Sequence, residues 1–451
     1  MLSLKYYQFS LDVIAKIGHL YFREHKTIDE ITQTLKQQFK LQISRSEINL
    51  LYQAYLALIK ADNKQDTAFL QKIKANGGIT LALDGVQPEK GNETLWILRD
   101  VPTGETLLAQ NLSCADKDSI ASLLKKVKAL GIPVKGVISD GQRSIRLAVK
   151  EVFPGVAHQL CHFHFLRNIA RPISEMDRAL KVDLKKKVRG IKAIEQNATC
   201  QTDKKSQLIL QYCRAIRFAL QDDGCYPLEP GGLKLYRRLR AIEQSLQFDI
   251  NVHSNPELEK LLRKLSIVDA LKPHYRRIKR LYALIFEANR ILNQDLTAKN
   301  VEADMIEYFD KLTKLHYKTR QEKTAVCNIL KFTASYWEGL FYHYDHLDIP
   351  KTNNDLERFI RKLKTAHRKI TGRASCQGYI VRYGAYVALL NDSVSEGKML
   401  VRLRLVEYGV FRQCYGVIRS FRRRLSFKRC LSEDFKGFLC GLEQEWANIP
   451  V

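Results

Sequence analysis

Strand-forming patterns occupy one short part of this chain, and this limits the possible fold more than any other feature. Five candidate strands span residues 79–86, 94–101, 106–112, 134–139 and 157–162, with Gly, Pro or Asn between most of them. Candidate helices at residues 118–130 and 142–152 interrupt the series. This order predicts an α+β protein with a mixed sheet flanked by helices.

Helical periodicity replaces the strand pattern from Phe165 to about Tyr344. Breaks fall mainly at Gly- or Pro-containing turns near residues 222–224, 229–232, 254–256 and 272–273. We therefore expect five regions: helical residues 1–75, a sheet domain in two parts at 76–171 and 346–392, an all-helical insertion at 172–345, and a basic C-terminal region at 393–451.

The first 60 residues contain two helix-start signals of the capping-box type, Thr27 with Glu30 and Ser44 with Glu47. They predict two helices joined by a tight turn. Such a unit is either a helix-turn-helix, whose second helix enters a DNA groove, or an ordinary helical hairpin. In the first case Arg45 and the exposed face of residues 46–53 would contact bases.

The formal charge of +26 and the isoelectric point near 9.6 favour a polyanionic partner, either nucleic acid or an anionic membrane surface. Apolar runs are far shorter than the ~20 residues of a membrane span, and the N-terminus lacks a secretory signal pattern. The ten cysteines include no Cys-x-x-Cys pair, which argues against a disulfide framework or a four-cysteine zinc module. These features predict a cytoplasmic protein that binds nucleic acid.

Much of the positive charge lies near the C-terminal end, because residues 351–430 contain 19 Lys and Arg against 5 Asp and Glu. A charge run is often only a solvated face, but this concentration favours phosphate contacts. The candidate DNA-binding cations are Arg361, Lys364, Arg368, Arg422, Arg423 and Arg424.

Three carboxylates are candidates for one catalytic metal site. Asp84 and Asp140 each close an apolar strand, and Glu357 lies in an amphipathic helix. Two Mg²⁺ ions held by such oxygens can activate a nucleophile and stabilise a leaving oxygen in phosphodiester cleavage. Taken singly, each residue has an ordinary alternative, namely a turn or cap residue for the aspartates and an ion-pair partner for the glutamate.

The helix around Glu357 carries two distinct stripes. Leu356, Phe359, Ile360 and Leu363 form an apolar face, while Glu357 begins a row that continues with Arg361, Lys364 and Arg368. A solvated helix would share this pattern with a catalytic helix that grips the DNA backbone. Thr371 and Gly372 predict the helix end.

A group of potential ligands follows at His158, Cys161, His162 and His164. Zinc ligation by Cys161 and His164 requires the strand to end there, because a continuous strand would direct them to opposite faces. If a helix begins near Phe163, residues three apart share a face. The alternative is a packing or hydrogen-bonding role close to the carboxylates.

Together these motifs resemble the DDE transposases of bacterial insertion sequences, especially the group related to plant Mutator elements. The resemblance rests on Asp84 in Leu-Ala-Leu-Asp-Gly, Asp140 in Ile-Ser-Asp-Gly, Cys161 with His164 as Cys-x-x-His, and Glu357 in Asn-Asn-Asp-Leu-Glu-Arg. It covers residues 78–372.

The resemblance implies an RNase H-like sheet domain with a helical insertion, and two Mg²⁺ or Mn²⁺ ions held by Asp84, Asp140 and Glu357. It implies cleavage at element ends, followed by attack of the freed 3′ hydroxyl on target DNA, within a synaptic complex of at least a homodimer. Trp337 would match an aromatic residue used against the DNA end, unless it is a core residue. Since the first helix begins close to Met1, a further N-terminal DNA-binding segment of some relatives is expected to be absent.

Two alternative functions differ in whether they require the three carboxylates. An RNase H-like nuclease or resolvase would cut DNA with the same carboxylates but without joining. A domesticated, catalytically silent DNA-binding protein would need no assembled carboxylate site.

Overall fold

Five strands form one mixed sheet in the computed structural model, which describes residues 3–62, 67–87, 92–199, 203–252, 256–390 and 395–447. The strands are β1 Ile79–Val86, β2 Thr94–Asp100, β3 Glu105–Leu112, β4 Val134–Ser139 and β5 Ala157–Leu160. Their order is β3-β2-β1-β4-β5, with β1 antiparallel to β2 and parallel to β4. The predicted α+β class and mixed sheet are confirmed. Only β5 differs noticeably, because it ends before Cys161 and His162.

The α-helices come before, between and after these strands in the chain. In chain order they are α1 Leu11–Phe22, α2 Ile28–Phe39, α3 Arg45–Ala61, α4 Thr67–Ala75, α5 Lys117–Lys128, α6 Arg143–Val152, α7 His162–Lys187, α8 Ile191–Thr199, α9 Lys204–Gln221, α10 Gly231–Val252, α11 Pro256–Ser266, α12 Lys272–Ile291, α13 Ala298–Thr313, α14 Arg320–Tyr336, α15 Tyr342–Asp345, α16 Asn354–Thr371, α17 Gln377–Val387, α18 Glu396–Arg404, α19 Tyr408–Glu433 and α20 Phe435–Ala447. Among the residues described, no helix is both long and apolar enough to cross a bilayer.

The chain divides into two compact units. The first comprises Met1–His158 and Asn353–Val451, and the second comprises Gln159–Thr352. The division places Cys161 and His164 in the second unit and all three candidate carboxylates in the first. The separation of a helical N-terminal domain and a C-terminal region from the sheet domain stays a prediction.

The sheet of the first unit has helices on both faces. Because side chains alternate along a strand, Leu81 and Leu83 pack with α5 and α6, whereas Ala82 and Val86 pack in a core shared with α1–α3 and α16–α19. By the same alternation, Asp84 lies on the face that α16 covers.

Helix α3 is buried along most of its length. Every residue from Leu51 to Ile59 is buried, in contact with α1, α2, α17 and α19. Gly18 permits the close approach of α1, since a Cβ at that position would overlap the ring of Tyr55. The core therefore joins the first helices of the chain to α16–α19.

The long helix α7 is the central element of the second unit and packs against α10, α12 and α14. Asp177 on α7 is 5% exposed and accepts hydrogen bonds from the N–H groups of Gly232 and Leu233, both at 2.8 Å. This carboxylate satisfies two donors at the start of α10, which have no partner within their own helix. The predicted breaks near residues 222, 231, 256 and 272 are confirmed by the ends and starts of α9–α12.

Candidate active site on the sheet and helix α16

Asp84 lies within β1, where it is paired with Ile97 of β2. The parallel pairing with β4 extends only to Ala82 and Ile138, so Asp84 comes just after the last paired position. Its carboxylate accepts a hydrogen bond from the Gly85 N–H at 2.8 Å. This part of β1 thus presents the side chain beside the end of β4.

Asp140 follows β4 directly and precedes α6. Its Oδ1 accepts a hydrogen bond from the Gln142 N–H at 2.9 Å, and Gly141 between them adopts a positive φ of 81°. Glycine adopts this backbone conformation without the strain of a side chain. The tight turn holds Asp140 at the carboxyl end of β4, as the sequence predicts.

Glu357 lies in the first turn of α16. Leu356 and Ile360 are buried, and Phe359 and Leu363 pack against the same core, which confirms the predicted apolar face. The helix ends at Thr371, and Gly372 follows in the left-handed conformation, as predicted.

A residue that sequence reasoning missed connects α16 to the sheet. The Asn353 side chain is 2% exposed, and its Nδ2 donates to the carbonyl oxygen of Leu83 at 3.2 Å. Asn353 precedes α16, and Leu83 immediately precedes Asp84. This hydrogen bond therefore fixes the start of the Glu357 helix beside the strand of Asp84.

The three carboxylates interact electrostatically. Burial and, after it, the negative charges of Asp140 and Glu357 raise the pKa of Asp84 to about 7, against the opposing effects of the Gly85 N–H and the Lys364 charge. Like charges disfavour ionisation, and a bound cation relieves that repulsion.

The donor chemistry of these carboxylates fits a hard divalent cation, since Mg²⁺ and Mn²⁺ prefer oxygen ligands. The described residues nevertheless contain no group of three or more His, Cys, Asp or Glu side chains already arranged to hold a metal ion. The charges of Asp140 and Glu357 thus act on Asp84, but the three side chains are not already arranged as a set of metal ligands.

The predicted cation row on α16 begins beside this site. Arg361 and Arg368 are exposed, Lys364 is partly exposed, and the Arg368 Nε also donates to the Ala374 carbonyl at 3.0 Å. Lys364 is the member of the row whose charge acts on Asp84. The side chains of Arg422, Arg423 and Arg424 lie outside the part of the chain that the structure describes.

The His and Cys residues in and just after β5 are divided between the two units. His158 Nε2 lies 2.9 Å from the Ser139 hydroxyl, next to Asp140, and burial lowers its pKa to about 4. Cys161 is buried immediately before α7, and His164 lies in the first turn of that helix. The strand therefore ends where zinc ligation requires, but a structural zinc takes four ligands, and the described residues form no such group.

His162 and Trp337 have structural partners in the second unit. The His162 Nε2 lies 2.8 Å from the Leu340 carbonyl oxygen, and burial lowers the pKa of its ring to about 4. The Trp337 indole N–H donates to Glu302 Oε1 at 3.0 Å, and its ring packs edge-on against Phe341.

The surface expected to contact DNA bases at the N-terminus is only partly available. The capping box at Thr27 and Glu30 is present, whereas at Ser44 the described residues show one of the two capping-box bonds, from the Glu47 N–H to the Ser44 hydroxyl at 3.1 Å. Arg45 is 70% exposed and pairs with Asp29 at 3.1 Å. Gln53 is 4% exposed, so its predicted place on a base-contacting face is wrong.

Residues 109–218 match the family model described as Transposase, Mutator family. The matched region runs from β3 into α9 and includes Asp140, Cys161 and His164, while Asp84 and Glu357 lie outside it. No curated protein matches the chain. The family match supports a transposase role and therefore interaction with DNA.

Proposed function

We propose that this chain is a DDE-type DNA transposase that cleaves the ends of an insertion sequence and joins the freed 3′ ends to target DNA. The observation that carries the proposal is the electrostatic interaction of Asp84 with Asp140 and Glu357. These three residues are far apart in sequence and are of the type that phosphodiester cleavage requires. The similarity to Mutator transposases supports the same chemistry.

In this proposal the sheet belongs to an RNase H-like domain that residues 172–345 interrupt as a helical insertion. Asp84, Asp140 and Glu357 would hold two Mg²⁺ or Mn²⁺ ions. When bound, such ions help to ionise an attacking water or hydroxyl and to stabilise the leaving oxygen.

The protein's own groups orient the reactants. The Gly85 and Gln142 N–H groups hold the carboxylates of Asp84 and Asp140, and Asn353 anchors the helix of Glu357 to β1. Arg361, Lys364 and Arg368 would position the DNA backbone by charge-assisted hydrogen bonds to phosphate oxygens.

Two successive displacements at phosphorus follow. Water first attacks the phosphodiester at the element end, and the bond to the 3′ oxygen breaks to leave a 3′ hydroxyl. That hydroxyl then attacks a target phosphodiester, forming a new bond to phosphorus as the target's own 3′ oxygen leaves. The two ends must be held together, and we propose that at least a homodimer does this.

The proposal is tested with the full chain, DNA carrying the cognate element ends, and Mg²⁺. Native protein should produce nicked ends and, from a pre-cut end, strand-transfer products. Glu357→Gln should lose both activities, whereas Asp118→Asn, at an exposed carboxylate on α5, should keep them. Equal activity of native protein and Glu357→Gln would overturn the role of Glu357.

A second candidate is a DNA-binding protein that does not cleave. It is favoured by the finding that the described residues hold no preassembled metal-ligand group. The same assay separates the two functions, because a silent protein would bind the ends but release no product at any Mg²⁺ or Mn²⁺ concentration. Cutting without joining would instead indicate a nuclease or resolvase.

A further inference from the structure

Helix α16 has a second charged flank that the proposed catalytic site does not use. At about 100° per residue, the side chains of Arg358, Lys362 and Lys369 fall on one side of the helix. The row of Glu357, Arg361, Lys364 and Arg368 lies about 110° away around the axis, and the buried face separates the two on the other side. One helix therefore offers two independent rows of cations.

The second flank borders an open groove within the first unit. Arg358, Lys362 and Lys369 line it together with Arg23 and His25, which lie between α1 and α2. Residues 103–106, from the turn before β3 and its first two positions, complete the lining. The groove encloses about 810 Å³. We call it the α16 groove.

The three lysine and arginine residues of this flank have no ion pair or hydrogen bond to any residue that the structure describes. By contrast, Arg99 at the base of the groove is held in place. It pairs with Asp355 at 3.5 Å, hydrogen-bonds to the Gly104 carbonyl, and lies 4.0 Å from the centre of the Phe359 ring. The groove thus combines the fixed Arg99 at its base with three cations that are available to a ligand. We call these cations, Arg358, Lys362 and Lys369, the rim.

The spacing of the rim suits a nucleic-acid backbone. Eleven residues separate Arg358 from Lys369, a distance of about 16 Å along the helix axis, comparable with about five phosphates of one duplex strand at ~3.4 Å each along the DNA axis. Both acidic residues of the groove, Asp355 and Glu105, are outnumbered by its five Lys and Arg residues.

The rings that line the groove favour duplex over single-stranded DNA. Single strands are bound by aromatic side chains on which bases stack. Phe22 is 9% exposed and packed in the core, and the Phe359 ring is covered by the Arg99 guanidinium. The groove therefore offers cations without a free stacking platform.

We infer that the α16 groove binds the phosphate backbone of a duplex DNA segment other than the one at Asp84, Asp140 and Glu357. The inference deepens the proposed function, on which its biological meaning rests. A transposase must hold more than one DNA segment, and the two flanks of α16 give each segment its own contacts.

The test measures binding of a fluorescein-labelled duplex of about 30 base pairs across a salt series. It compares a groove variant, Arg358→Gln with Lys362→Gln and Lys369→Gln, with a control variant, Lys36→Gln with Lys72→Gln and Lys150→Gln. The control removes three exposed lysines from α2, α4 and α6. Glutamine keeps helix propensity in both, and circular dichroism checks folding.

The groove variant should bind about 10- to 100-fold more weakly at low salt, and its salt slope should fall by about 2–3, one for each lost phosphate contact. The control should resemble the native chain. Equal slopes and affinities in the two variants would overturn the inference, and the single variant Lys362→Glu repeats the test with less risk to folding.

Two further arms identify the ligand. The groove substitutions should weaken the binding of a single strand less than they weaken the binding of the duplex. Inorganic phosphate, added at constant ionic strength, should not displace the duplex from the native chain more than from the groove variant. The opposite result in either arm would overturn the duplex assignment. All measurements are repeated in Glu357→Gln, so a failure of the catalytic proposal leaves the binding result intact and separately readable.

Discussion

Two aspartates, the buried Asp177 of the second unit and the partly buried Asp84 of the first, have opposite surroundings. Burial raises the pKa of Asp177, whereas the hydrogen bonds from two backbone N–H groups and the charge of Lys181 oppose that rise. Asp84 accepts one N–H and faces the charges of Asp140 and Glu357. A carboxylate that accepts hydrogen bonds from buried N–H groups stabilises a fold, whereas one surrounded by other carboxylates is poised to bind a cation. The contrast separates a structural residue from a candidate catalytic residue of the same type.

The largest effect we expect is on DNA cleavage. Asp84→Asn should reduce the rate at cognate ends by about 10³-fold or more, because it removes a carboxylate on which transition-state stabilisation depends. Asp177→Asn should leave the rate of its folded fraction within about twofold. Gel-based cleavage assays check both. Loss of cleavage in both variants, or in neither, would break the comparison.

Stability should respond in the reverse order. Asp177→Ala removes the acceptor of two buried N–H groups and should lower the free energy of unfolding of the second unit by about 2–4 kcal/mol. Urea unfolding followed by circular dichroism measures the change. A value no larger than that of an exposed substitution such as Asp183→Ala would contradict the structural role of Asp177.

The pH dependence sharpens the role of Asp84. Its folded-state pKa of about 7 lies above the ordinary value of 3.8, so the folded protein binds the proton more tightly than the unfolded chain. The free energy of unfolding should therefore fall as the pH rises from about 4 to about 7, by about 1–3 kcal/mol relative to Asp84→Asn.

Divalent cations should reverse this loss. At pH 8, Mg²⁺ or Mn²⁺ should raise the melting temperature of the native protein more than that of Asp84→Asn, because only the native site carries the full charge. Parallel pH curves and equal metal responses for the two proteins would argue against a cation site at Asp84.

The smallest effect is expected at Asn353, which we regard as a positioning residue. Asn353→Ala removes the hydrogen bond to Leu83 and should cost about 1–2 kcal/mol of stability. If the bond positions Glu357, the variant should also need more Mg²⁺ for half-maximal cleavage. A stability loss with an unchanged Mg²⁺ requirement would make Asn353 structural only.

Local pattern predicted much of this fold. Strand bounds follow from alternation between Gly- and Pro-rich turns, and the apolar face of α16 follows from its helical spacing. The burial of Gln53 and the contact of Asn353 with Leu83 could not be predicted in this way. The first depends on helices that pack against α3 from elsewhere in the chain, and the second joins residues 270 apart in sequence.

The candidate site could likewise be predicted only in part from the sequence. Side-chain chemistry singled out Asp84, Asp140 and Glu357, and the structure adds that their charges interact. The zinc hypothesis at Cys161 and His164 depended on where the strand ends, which is a boundary that sequence patterns fix poorly.

The core that the first helices share with α17 and α19 has a consequence for folding during synthesis. Helix α3 leaves the ribosome long before α17 and α19, which cover it, since the whole second unit is made in between. At about 5–20 residues per second, the apolar surface of α3 waits tens of seconds for its cover. A ribosome that stops early would therefore release an aggregation-prone fragment, and the N-terminal helices cannot be expected to persist as a separate DNA-binding product.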